Sequence, residues 1–144
     1  MIDKKQIIMN FASPPGLEDL EALAGQLLET CPEELLEYCD ELAIRVEEMP
    51  DSAIEIELEL EDPFELLALY KSGSEIAPGV TSKVANDDDV LVLYRRPILD
   101  LWCESYDDLT GVVREAMIAE LGRHFDFSDD EIEEFSSRHY QGLL

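Results

Sequence analysis

Basic residues are scarce in this chain. Ten lysines and arginines stand against 35 aspartates and glutamates in 144 residues, a formal net charge of -25. A nucleic-acid backbone would be repelled, and no basic stripe exists to neutralise it. Docking on an anionic membrane surface is disfavoured for the same reason. No apolar run approaches the length of a membrane span. The stretch Gln6-Ile7-Ile8-Met9-Asn10-Phe11-Ala12 that follows Lys4 and Lys5 is too short and too interrupted for a signal peptide. Cysteine is also sparse: Cys31, Cys39 and Cys103 have no metal-binding spacing and make an odd count. They are expected as reduced, small hydrophobic residues near a core. A cytoplasmic setting follows from these absences. No Gly-rich phosphate loop, nucleophile elbow or internal repeat is found either.

What is present is ordinary globular material. A 46% hydrophobic content shows that the acidity is not a sign of disorder. The length suits one compact domain over 1–144, with 1–16 and 140–144 as flexible ends. Ser13-Pro14-Pro15-Gly16 is a turn-rich break. Beyond it Leu17, Leu20, Leu23, Ala24, Leu27 and Leu28 recur at helical spacing, predicting an amphipathic helix to Thr30. Pro32 opens a second short helix, with Glu33 and Glu34 in the first turn, where the dipole favours anions. Residues 42–47 read as a strand with Ala43, Arg45 and Glu47 on one side.

Residues 53–61 alternate strictly between apolar and acidic, which is the pattern of a strand with one wet face. Their leucines and glutamates are nevertheless good helix formers, so both readings stay open. A second apolar segment, Pro63-Phe64-Glu65-Leu66-Leu67-Ala68-Leu69-Tyr70, ends at Lys71-Ser72-Gly73-Ser74. A polar connection over 74–88 leads into the acidic run Asp87-Asp88-Asp89. Val90-Leu91-Val92-Leu93-Tyr94 is continuous, apolar and partly β-branched, as a buried strand must be. A short helix is predicted from Pro97 through Trp102, and a long one from Tyr106 to Phe125. Ser128 with Glu131 makes a capping box for a last helix through Arg138. The expected fold class is α+β, a small mixed or antiparallel sheet packed with helices.

The long helix carries the unusual chemistry. Glu120 and His124 fall on the same arc as Leu109, Val113, Ala116 and Met117. Ionisable groups on an apolar face need a partner. One reading is a metal site of Glu120, His124 and an aspartate from the 126–130 loop. The other is a satisfied polar pair. Arg95-Arg96 is expected to bridge to the acidic surface rather than to bind phosphate, and His139 to lie on the surface.

The order of elements resembles that of the minimal zincin family of zinc peptidases. So do the phrases Leu42-Ala43-Ile44-Arg45-Val46-Glu47, Pro63-Phe64-Glu65-Leu66-Leu67-Ala68-Leu69-Tyr70 and Leu93-Tyr94-Arg95-Arg96-Pro97-Ile98-Leu99-Asp100. The likeness runs from Leu17 to Phe135, and its most specific part is Ala119-Glu120-Leu121-Gly122-Arg123-His124-Phe125-Asp126-Phe127-Ser128-Asp129-Asp130. In the family this stretch reads H-E-x-x-H-H-F-G-x-x-D, with two helical histidines and the later aspartate on zinc.

Histidines four apart share a helical face and can bind one zinc ion, and the glutamate acts on its bound water. Carried over by position, the resemblance places the general base at Glu120 and the third ligand at Asp129. The two histidine positions hold Ala119 and Arg123, and the glycine position holds Asp126. Alanine has no ligand atom, and arginine is a permanent cation.

The resemblance therefore implies an inactive homologue, with Glu120 idle, the Asp129 position empty and no cofactor, a monomeric scaffold that binds a peptide or protein. Its rivals are a peptidase with a relocated metal site and an acidic protein that binds a basic partner. Arg123, three residues after Glu120, either replaces the metal's charge by pairing with Glu120, Asp126 or Asp129 or extends into solvent, since exposed pairs gain little; both readings stay open.

Overall fold

The strand Val90–Tyr94 organises the fold because it is covered on both faces: Leu91, Val92, Leu93 and Tyr94 have no exposed surface. A strand buried on both sides reads as an unbroken apolar run, which is how it stands out in the sequence. The computed structural model describes residues 14–40, 42–72, 89–105 and 108–137. Within these, the elements in chain order are α1 (Leu17–Leu28), α2 (Glu33–Leu36), β1 (Ala43–Glu47) and α3 (Ser52–Glu57). A 3-10 turn (Pro63–Glu65), β2 (Ala68–Lys71), β3 (Val90–Tyr94) and α4 (Arg95–Glu104) follow, then α5 (Leu109–His124) and α6 (Asp129–Ser137).

The sheet order is β1-β3-β2. β1 runs parallel to β3, with Ala43 opposite Val90 and Glu47 opposite Tyr94. β2 runs antiparallel to β3, with Ala68 opposite Leu93 and Lys71 opposite Val90. The fold is therefore α+β with a small mixed sheet, as the sequence implied. β1 turns Ala43 and Arg45 outward and buries Val46, the predicted alternation.

α1 buries Leu20, Leu23, Ala24 and Leu27 against β1 and α5. Contacts with α1, β2, α4 and α6 surround α5. It consequently has buried side chains around most of its circumference, as a helix through the centre of a domain does. Cys31 and Cys39 are buried free thiols, pushed up to about 11 and about 12 by burial, whereas the free Cys103 is exposed. Cys103 therefore lies outside the core expected for it. No described helix is long and apolar enough to cross a membrane.

The alternating segment 53–61 is not a strand. Its first half is the helix α3, capped by Asp51, whose Oδ1 accepts the Ile54 N–H at 2.9 Å. Its second half leaves the helix through Glu59 at φ 53. Alternation cannot place both isoleucines on one helical face, so Ile54 is half-buried while Ile56 is 78% exposed. The favourable cap and the helix-forming glutamates outweigh one exposed isoleucine. The apolar segment 63–70 divides into the 3-10 turn, with Asp62 accepting from Phe64 N–H, and the strand β2.

At the other end of the sheet Arg95 bridges to Glu48 at 3.0 Å, and its Nε donates to the Pro15 carbonyl at 2.6 Å. The expected surface bridge of the Arg95-Arg96 pair thus forms through Arg95. The expectations for residues 1–13, the connection 74–88, Arg138, His139 and the 140–144 end lie outside the described residues.

Candidate functional site

The C-terminal half of α5 lies against β2, and the chemistry gathers where they meet. α5 starts on an Asp108 cap, whose Oδ1 accepts the Gly111 N–H at 2.8 Å, so its phase is set from the first turn. Counting along that phase, Ala119 faces outward and Glu120 faces inward. Glu120 is only 8% exposed. A carboxylate so placed needs partners, and among the described residues it has two.

Its Oε2 accepts the Tyr70 backbone N–H at 2.8 Å. Both oxygens also accept from Arg123, with Nη2 at 2.7 and 2.8 Å and Nε at 3.2 Å from Oε1. The Tyr94 N–H donates to the Leu67 carbonyl at 2.9 Å. The antiparallel ladder then alternates, so the Ala68 and Tyr70 backbone groups point to the outer edge of the sheet. Glu120 thus closes the edge of β2 at Tyr70.

Tyr70 joins the remaining members. Its hydroxyl donates to Asp89 Oδ2 at 2.6 Å, and both residues are buried. Burial, and then the hydrogen bond to Asp89, hold its phenol well above the usual range. The His124 ring stacks on the Tyr70 ring, with centroids 3.6 Å apart and an interplanar angle of 13°. Partial burial in this stack lowers the His124 pKa from its ordinary value, against the opposing pull of Glu120 and Asp89. Phe125 continues the cluster, with centroids 5.5 Å from Tyr70 and 5.1 Å from Tyr38.

The end of α5 is a Schellman motif. Phe127 N–H donates to the Gly122 carbonyl at 2.9 Å and Asp126 N–H to the Arg123 carbonyl at 3.3 Å. Asp126 itself has φ 67, the left-handed region where glycine is favoured. The aspartate there adopts a conformation that glycine would supply at lower cost. Beyond it, Ser128 and Glu131 form the predicted capping box, with bonds of 2.8 and 3.1 Å. Asp129 is the first residue of α6 and is exposed. There its charge complements the helix dipole.

Two adjoining depressions lie on the outer side of α5. The larger, about 310 Å³, includes Leu67, Leu101, Val112 and Glu115. The smaller, about 220 Å³, includes Glu65, Glu120 and Arg123. They share Leu67, Ala116 and Ala119.

Of the residues singled out in the sequence, the structure brings Glu120, Arg123 and His124 to one place and leaves Asp129 on the neighbouring helix terminus. Arg123 pairs with Glu120 rather than with Asp126 or Asp129 among the described contacts. Tyr70 and Asp89 carried no sequence assignment. Tyr70 sits in an apolar segment and Asp89 ends an acidic run, and neither pattern shows which side chain turns inward.

A zinc ion does not fit this set. Ala119 offers a methyl group, Arg123 offers a cation, and both Glu120 oxygens are engaged. Among the described residues no three His, Cys, Asp or Glu side chains come together in a metal-holding group. A displaced site of Glu120, His124 and a loop aspartate is therefore not assembled there.

A comparison with curated proteins finds no match. A family model described as zincin-like metallopeptidase matches residues 39–139, from just after α2 through α6 and including the whole Glu120–Arg123 site. With the sheet, the long helix and the residue pattern falling inside that match, the chain belongs to the zincin-like metallopeptidase family.

Proposed function

We propose that this protein is a non-hydrolytic member of its family that keeps the scaffold and uses the α5–β2 cleft to bind polypeptide. One observation carries the reading: the Glu120 carboxylate, at the family's general-base position, is committed to the Arg123 guanidinium and the Tyr70 N–H. A general base must be within hydrogen-bond reach of the proton it takes and free to accept it. Replacement of both helical histidine positions by Ala119 and Arg123 points the same way. The adjoining depressions along α5, about 310 and 220 Å³, supply the binding half of the reading. The reading includes a monomer, and the free thiols of Cys31, Cys39 and Cys103 support its placement in a reducing, cytoplasmic compartment.

The test is a peptidase assay on protein purified without metal resin, alongside elemental analysis of the same sample. No hydrolysis and no stoichiometric zinc are expected. Chelator-sensitive cleavage by the unmodified protein overturns the proposal. The double variant Ala119→His/Arg123→His is expected to bind zinc, because it restores the two imidazoles at four-residue spacing.

A further inference from the structure

We infer that the groove along α5 selects a polypeptide segment in which an aliphatic side chain is flanked by lysine or arginine. This rests on the polypeptide-binding reading above and names its ligand chemistry. The floor shared by the two depressions is Leu67, Ala116 and Ala119, and Leu101 and Val112 extend it. Leu101 is 39% exposed, so an incoming aliphatic side chain would cover apolar surface that water now reaches. Ala119 matters here: the position at which the family pattern has a histidine carries a methyl group, so the middle of the groove is apolar.

The net charge around that floor is negative. Glu65 and Glu115 line the two depressions and are exposed. The one cation in the lining, Arg123, has its charge met by Glu120 at 2.7 Å. The lining thus holds three carboxylates against one guanidinium, within a chain of formal net charge -25. A basic segment is drawn toward such a surface and an acidic one is repelled. Strand addition at Tyr70 does not contribute, because Glu120 already holds that outward N–H. The selectivity is placed in burying the aliphatic side chain and pairing its basic neighbours with Glu65 and Glu115, so the side-chain composition of the segment separates one ligand from another.

Three fluorescein-labelled, end-capped peptides test this by anisotropy at low and high salt. The first has a central leucine flanked by lysines, the second replaces the lysines with glutamates, and the third replaces the leucine with serine. The basic leucine peptide is expected to bind tightest, with Ala119→Trp weakening it at least about ten-fold by filling the shared floor. Glu65→Gln with Glu115→Gln is expected to weaken it about three- to ten-fold, an effect that fades as salt rises.

Equal binding of the acidic or the serine counterpart overturns this inference while leaving the polypeptide-binding reading standing. Cleavage of a peptide, or no binding by any of the three, overturns that underlying reading instead. Binding of the basic peptide that Ala119→Trp leaves unchanged would mean diffuse attraction to the acidic surface, and overturns the groove assignment. Self-association abolished by the same substitution would assign the groove to a second copy of the chain, and also overturns it. Should Ala119→Trp fail to fold, Ala119→Lys at the same exposed position sets a cation against the basic peptide, and the same loss is expected.

Discussion

The guanidinium of Arg123 closes on the carboxylate of Glu120 through its Nε and Nη2 atoms, at 2.7 to 3.2 Å. The two ends of this pair are in different environments: the Arg123 side chain is 67% exposed and that of Glu120 only 8%. An exposed ion pair contributes little by itself, because water competes for both charges. Here the cost lies in what is left behind when one partner is removed. Without Arg123, a buried carboxylate keeps only the Tyr70 N–H among the described residues.

Arg123→Ala is accordingly expected to destabilise the fold by roughly 1–3 kcal/mol, the cost of an under-satisfied buried group. Urea unfolding measures this. Glu120→Gln keeps the bond from Tyr70 and removes the charge, so Arg123→Ala in that background is expected to cost less than 1 kcal/mol, about that of an exposed pair. Equal cost in both backgrounds would show that the pair is not what holds Glu120.

The left-handed residue at the end of α5 provides an independent prediction. Asp126 pays the steric cost of φ 67, which glycine does not. Asp126→Gly is expected to stabilise the protein by about 0.5–1 kcal/mol, the gain net of the extra freedom of glycine in the unfolded chain. A rise in Tm by calorimetry is the readout. No rise would mean that the Asp126 side chain offsets the backbone cost.

α5 and α6 meet at Gly122. A β-carbon there would lie 2.5 Å from Ile132 Cγ1 and 2.9 Å from its Cδ1. Gly122→Ala gains helix propensity of about 1 kcal/mol and meets an overpacking cost of about 1–3 kcal/mol. Net destabilisation is therefore expected. Ile132→Ala removes both clashing atoms, and in that background Gly122→Ala is expected to become stabilising. A change of sign between the two backgrounds in denaturant unfolding is the outcome to look for.

The lowered pKa of His124 sets a pH dependence. A histidine with a depressed folded-state pKa is protonated more readily when the chain is unfolded. Its contribution to stability is full above the ordinary imidazole value of about 6.5 and is lost as pH falls through the folded-state value. Acidification also relieves repulsion within a chain of charge -25, which works the other way. The difference between the native protein and His124→Phe isolates the histidine. On lowering pH from about 7.5 to 5.5, the native protein is expected to lose stability relative to the variant. An unchanging difference would contradict a depressed value.

Much of the local structure is decided by the sequence alone, because its causes lie within a few residues. Val90–Tyr94 announces a buried strand by continuous apolarity, and Ser128 and Glu131 announce the start of α6 by three-residue spacing. The α+β class is equally plain from the chain, as is the presence of Ala119 and Arg123 where the resemblance places histidines. That Arg123 could reach Glu120 was legible too, since three residues on a helix bring side chains together, but the choice between Glu120, a loop aspartate and solvent was not.

Tertiary structure decided the rest. The alternation in 53–61 left strand and helix both open; the sheet β1-β3-β2 includes no part of it, and its first residues form the helix that the Asp51 cap starts. That Glu120 is held by Tyr70, fifty residues away in the chain, depends on how β2 lies against α5. Likewise Asp89 is indistinguishable from the aspartates before it until β3 carries it beneath the Tyr70 hydroxyl. Periodicity and spacing encode interactions along one element. Which buried polar group meets which partner is fixed only when separate elements pack, because burial is what makes that partner obligatory.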